Sequence, residues 1–212
     1  MKIKLSLILI LVVSAANAAE YFYTGPSFQE AAGVYTTNDR ISGTFTTADL
    51  LADNLPESTD ITSLVESYQF SDGHQVFTES NSTIIQFKVG TDYYGKPTTW
   101  GITLWESPVT GTQDDLVNIV ETAYTTGPNG LQQDQGSQDA TCGQVTNGTC
   151  SSASSDGTNS GVYLVFAPNQ GAGNWRGGRP IIVPTLTTYG LFAMLLLMMA
   201  VGFRSLRKVK IQ

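Results

Sequence analysis

Histidine occurs once in the 212 residues, at His74, and cysteine twice, at Cys142 and Cys150. Any Ser-His-Asp triad must therefore run through His74, which follows Asp72-Gly73 in an expected turn, where a lone histidine is ordinarily solvated. Gly-x-Ser-x-Gly and His-Glu-x-x-His are both missing, as is a phosphate-cradling glycine loop; Gly171-Ala172-Gly173 has the wrong spacing for one. The regular Asp-x-Asp-x-Asp-Gly calcium loop is missing too. Asp114, Asp115, Asp134, Asp139 and Asp156 accordingly read as a solvated acidic face, with weak calcium binding as the rival reading. These absences point away from an enzyme and call for no cofactor and no metal. Eighteen acids still leave open a carboxylate pair for polysaccharide hydrolysis.

Bases are scarce where the acids are. All eighteen acids fall between Glu20 and Asp156, and only Arg40, Lys88, Lys96, Arg176 and Arg179 accompany them in residues 19–180. Five bases against eighteen acids give that middle piece a formal charge of −13. Such a surface repels phosphate backbones, so nucleic acid is not an expected partner.

The two ends have a different composition. Lys2 and Lys4, the apolar run Leu5 to Val13 and the small-residue site Ala16-Asn17-Ala18 make residues 1–18 a secretory signal expected to be cleaved after Ala18. At the other end, the apolar stretch Tyr189 to Phe203 covers about 22 Å of a hydrocarbon core that is about 30 Å thick, and it spans only if residues 181–188 add length. Met194 to Met198 are bulky and apolar all round the helix, unlike the one-sided pattern of a buried core helix. Arg204, Arg207, Lys208 and Lys210, with no acid nearby, are expected to stay in the cytoplasm and leave the acidic middle outside.

Val183-Pro184-Thr185-Leu186-Thr187-Thr188-Tyr189-Gly190, then an apolar segment, then Arg204-Ser205-Leu206-Arg207-Lys208, resembles the IPTL-CTERM sorting signal, a relative of the PEP-CTERM tails. The family motif is approximately Ile-Pro-Thr-Leu-Ser-Glu-Trp-Gly; here Val183 stands for the Ile, and Thr187, Thr188 and Tyr189 stand for Ser, Glu and Trp. The resemblance implies an exported bacterial protein, held transiently in the inner membrane and cut near the motif by an exosortase, a membrane-embedded cysteine transpeptidase. Pro184 suits that role, since it keeps the preceding residue extended as a protease requires. A permanent anchor is the alternative. The segments Ile41 to Phe45, Leu50 to Leu55 and Tyr68 to Gly73 are also similar to the N-terminal part of many PEP-CTERM proteins, a likeness that carries no chemistry.

The exported middle shows strand patterning. Ile41 to Thr46, Ile84 to Val89 and Val162 to Phe166 alternate, and Tyr21 to Thr24, Ser67 to Ser71, Gln75 to Glu79, Thr99 to Trp105 and Leu116 to Tyr124 are further candidates. Thirty-eight of the 162 residues are Thr or Ser, which suits a pleated surface and disfavours long helices. The expected fold is all-β: a single antiparallel β-sandwich over residues 19–167 with seven to nine strands. Helical turns at Thr47 to Asn54 and Leu116 to Ala123 are the rivals. Residues 125–160 hold Gln132, Gln133, Gln135 and Gln138 and almost no large apolar side chain, so a long polar loop is expected there, closed by a Cys142–Cys150 disulfide. A metal or redox pair is the rival use of those cysteines. Residues 168–180, rich in glycine, read as a tether before the sorting segment 181–212, with Trp175 and Arg176 at the lipid interface.

Trp105, Tyr93 and Tyr94 form the densest aromatic group with Trp100. Trp100 and Trp105 differ by an odd number and fall on opposite faces of an unbroken strand. An exposed Trp105 beside the tyrosines would stack on a sugar ring; packing under a loop is the other reading. The expected role is therefore a cell-surface or extracellular protein of structural or adhesive type, with extracellular polysaccharide as the alternative partner.

Overall fold

The computed structural model describes residues 18–106, 112–127, 130–146, 149–166 and 174–180, all within one compact unit, Ala18–Ile181. Ala16, the sorting motif and the basic cluster lie outside the described residues. The strands are β1 (Ala19–Ser27), β2 (Glu30–Ala31), β3 (Arg40–Thr47), β4 (Thr59–Asp60), β5 (Val65–Ser71), β6 (Val76–Thr78) and β7 (Ser82–Thr91). They continue with β8 (Pro97–Glu106), β9 (Leu116–Tyr124), β10 (Leu131–Thr146), β11 (Thr149–Ser154), β12 (Ser160–Phe166) and β13 (Asn174–Pro180). A 3-10 turn at Thr62–Leu64 is the helical element among the described residues, so both helical rivals give way to a loop and to β9.

The fold is all-β, with every paired strand antiparallel to its neighbour. One sheet has the order β13-β1-β3-β5-β6; the other has β2-β12-β10-β9-β8-β7-β4, with β11 paired to β10. Alternation drives the packing: Ala19, Tyr21 and Tyr23 of β1 turn inward while Phe22 faces out, and Trp100, Ile102 and Leu104 do the same on β8. Aromatic rings fill the space between the sheets. Tyr21 stacks on Phe45 at 4.6 Å, and Phe45 meets Phe87 edge-on at 5.0 Å. Gly43 of β3 has no side chain because the Phe70 ring occupies the place of its Cβ.

Two segments depart from the sequence expectation. Residues 125–160 are not a loop: β10 occupies the interior of its sheet, between β9 and β12, and continues into a hairpin with β11. Its inward residues are Gln132, Asp134 and Gly136, so the strand shows no apolar alternation, and its place depends on polar partners from other strands. The tether is likewise a strand in its second half. β13 pairs with β1 from Thr24↔Asn174 to Ala19↔Pro180, and Trp175 is buried at 3% exposure in the core rather than lying at a lipid interface.

One extra residue shapes β10. Ser137 pairs with Ile119, and Ala140, three residues on, pairs with Val117, two residues back, a β-bulge in which Asp139 adopts φ +59°. The slip reverses the facing of the rest of the strand. Ala140 and Cys142 now join Val117, Ile119 and Trp105 in a second cluster, on the outer face of the sheet.

Candidate binding cleft

The inner end of the site is a polar network in an aromatic box. Asp134 is wholly buried, and the Tyr23 hydroxyl donates to its carboxylate, 2.8 and 2.9 Å from the two oxygens. Thr122, on neighbouring β9, also bonds Asp134 and accepts the Trp100 indole N–H at 2.8 Å. Burial pushes the Asp134 carboxyl up to about 7, against the downward pull of the Thr122 and Tyr23 hydrogen bonds. The Tyr23 phenol is raised for the same reasons, first its own burial and then the Asp134 charge. Gly25 makes room for this group, since a Cβ there would overlap the Asp134 carboxylate.

Around the network, five aromatic side chains converge. Trp175 packs on Tyr23 at 5.0 Å, on Phe45 at 5.5 Å and on Trp100 at 5.9 Å, and Trp100 lies 5.1 Å from Tyr124. Trp100, Tyr124 and Trp175, with Lys96, Thr98, Thr126 and Asn174, line an open cleft of about 310 Å³. Trp100 already spends its N–H on Thr122. The buried Trp175 Nε1 has no hydrogen-bond partner among the described residues. Lys96 is exposed and makes no ion pair among the described residues. The Thr98 hydroxyl donates to the Gly90 carbonyl and the Thr126 hydroxyl to the Glu57 carboxylate at 3.0 Å, so two of the lining hydroxyls are already engaged.

The β7–β8 turn delivers Lys96. Asp92 accepts the Tyr94 and Lys96 backbone N–H groups at 2.8 and 3.0 Å, and Gly95 takes φ +72°, a conformation that favours glycine. The turn holds Tyr93 and Tyr94 outward, 68% and 79% exposed, with their rings edge-on at 5.4 Å.

Trp105 is not part of this surface. Trp100 and Trp105 do face opposite ways, but the outer face is covered at Trp105, which is only 5% exposed within the cluster that holds the Cys142–Cys150 disulfide. It lies nine residues along the chain from Lys96, about 30 Å of extended strand, so the expected trio of Trp105, Tyr93 and Tyr94 does not assemble. Sequence reasoning singled out Tyr93, Tyr94 and Trp100, gave Lys96 no role, and placed Trp175 outside the fold, because glycines surround it. The indole itself was the available signal.

The other candidate residues have structural partners. His74 Nε2 lies 3.1 Å from Asp39 Oδ2, and its ring meets Tyr35 edge-on at 4.9 Å. Asp72, wholly buried, accepts the Tyr35 hydroxyl at 2.5 Å and the His74 and Gln75 backbone N–H groups at 2.9 and 2.7 Å. These contacts tie residues 35–39 to the β5–β6 turn. The five acids considered for calcium are scattered: Asp134 is internal, Asp139 forms the bulge, and no group of three metal-ligating side chains occurs among the described residues. Cys142 and Cys150 are joined, Cα to Cα 5.8 Å. A hollow of about 340 Å³ between Thr47–Ala52 and Ser63–Glu66 holds Asp49 and Glu66 but no unpartnered buried donor among the described residues. No family model, curated protein or solved structure matches the chain.

Proposed function

We propose that this chain is an exported cell-surface or extracellular-matrix protein of structural or adhesive type: a β-sandwich made between a cleaved signal and a C-terminal sorting segment read by an exosortase-like transpeptidase. The observation that carries the reading is the fit between processing signals and fold. The compact unit runs from Ala18 to Ile181, beginning at the expected signal cleavage site and ending just before Val183. The disulfide and the acidic middle piece favour an oxidising exterior. Ala19 and Pro180 are cross-strand partners, so the first and last strands of the described unit end side by side. Ala19 is wholly buried between β13 and β3.

Intact mass of the protein from its native cells, with membrane and medium fractions kept apart, tests this. The expected species begins at Ala19 and ends within or near the Val183 to Gly190 motif. A membrane species that retains Gln212 would make the tail a simple anchor and remove the transpeptidase from the account.

A further inference from the structure

We propose that Asn81 is a modification site whose side-chain amide receives an N-linked oligosaccharide during export. Glu79-Ser80-Asn81-Ser82-Thr83 is an Asn-x-Thr acceptor with no proline within it and an acid two residues ahead of the asparagine. The acid marks the stricter form of the motif that bacterial transferases read, a carboxylate being suited to a charge-assisted contact with a cation of the enzyme. The fold presents this pentapeptide where a sugar can be carried. Asn81 is exposed in the turn between β6 and β7; Glu79, Ser80 and Thr83 are exposed with it, and only Ser82 turns inward. The Asn81 carboxamide oxygen accepts the Thr78 N–H at 2.7 Å and the Thr78 hydroxyl at 3.1 Å, and Nδ2 donates to the Val76 carbonyl at 2.8 Å. That nitrogen carries two hydrogens, so one is enough for Val76 and the other is available for exchange.

The co-substrate is an oligosaccharide joined through its anomeric carbon to a polyprenyl diphosphate. Asn81 Nδ2 attacks that carbon and forms the N–C bond; the C–O bond to the diphosphate breaks and the lipid diphosphate leaves with its electron pair. The nitrogen gives one proton to a base of the transferase, and nothing is oxidised or reduced. The product keeps one N–H and an untouched carboxamide oxygen, which are the groups the turn uses. Transfer to the emerging chain, before the β6–β7 hairpin closes, meets no competition from Thr78 and Val76. The sugar then stands beside β6, the three-residue edge strand of its sheet, and hydrates an edge otherwise open to pairing. Asn147-Gly148-Thr149 is a second Asn-x-Thr, but Val145 stands where the acid is needed, so it is expected to stay bare. The proposal rests on the exported reading, since the transferase acts outside the cytoplasm.

Glycopeptide mass spectrometry of the protein from the membrane and medium fractions of its native cells tests this, with electron-transfer fragmentation to place any added mass on one residue. The Asn81 peptide is expected to carry an oligosaccharide and the Asn147 peptide none. Thr83→Val and Glu79→Gln, which both leave Asn81 and its turn contacts in place, should each abolish the modification, and Thr83→Ser should retain it. A bare Asn81 on a chain that has lost residues 1–18 overturns the site and leaves the export reading standing. A bare Asn81 on a chain that still carries them overturns both. Sugar that survives Thr83→Val or Glu79→Gln, or that sits on Asn147 in place of Asn81, also overturns the assignment.

Discussion

Asp134 shows what a single side chain does to the energetics of this core. Its carboxyl is enclosed, and burial raises it from an ordinary value near 3.8 to about 7. Between those values the folded protein holds a proton that the unfolded chain has released. The stabilisation is complete below pH 4 and is lost as pH rises through 7, by up to about 4 kcal/mol, taking 1.36 kcal/mol per unit. Glu121, raised by its own burial, acts with the same sign. Asp39 acts oppositely: burial raises it, but the Thr36 and His74 hydrogen bonds outweigh that and hold it low, so its contribution is lost only in stronger acid. Denaturant melts from pH 4.5 to 8 should therefore show stability falling with pH, and Asp134→Asn should remove most of the slope. A rising profile would mean that the carboxylate is ionised and better solvated than its burial implies.

The β10–β11 hairpin is the element whose role was least evident. Its bulge turns Cys142 onto the outer face, where the Cys142–Cys150 bridge and Ala140 help bury Trp105. By chain entropy a loop this short contributes about 2 to 3 kcal/mol. Replacing both cysteines with serine should lower stability by about that amount and shift tryptophan emission to the red as Trp105 meets water. The same shift should accompany reduction of the wild-type protein. An unchanged spectrum in both cases would show that β-pairing alone covers the indole. The alternating strands β1, β3, β7, β8 and β9 were legible because each carries its own apolar face. β10 was not, since Asp134 becomes tolerable inside a sheet only when Tyr23, 111 residues away, and Thr122 of the neighbouring strand reach it.

At the scale of the whole molecule, β13 closes the sheet that contains β1 and sets Trp175 among Tyr23, Phe45 and Trp100. A chain ending before Asn174 loses that indole and an edge strand together. Removing a buried tryptophan alone costs about 3–5 kcal/mol, so the truncation should destabilise the domain by at least that much, read as a fall in denaturation midpoint. A midpoint matching the full-length chain would show that β13 is dispensable. The strand also brings the end of the folded unit beside its beginning at Ala19.

The sequence by itself determined the all-β class, most of the strands, the excess of acid, the cysteine pair and the processing signals expected at both ends, because periodicity, charge and short motifs are local properties of the chain. Only the tertiary structure decided that a glutamine-rich segment is an interior strand, that a glycine-rich segment is a closing strand, and that Trp105 is covered while Trp175 lines a cleft. Each of those outcomes depends on what a residue meets across the sheets: the Asp134 carboxyl meets Tyr23 from 111 residues away, and the Trp175 ring packs on that same tyrosine.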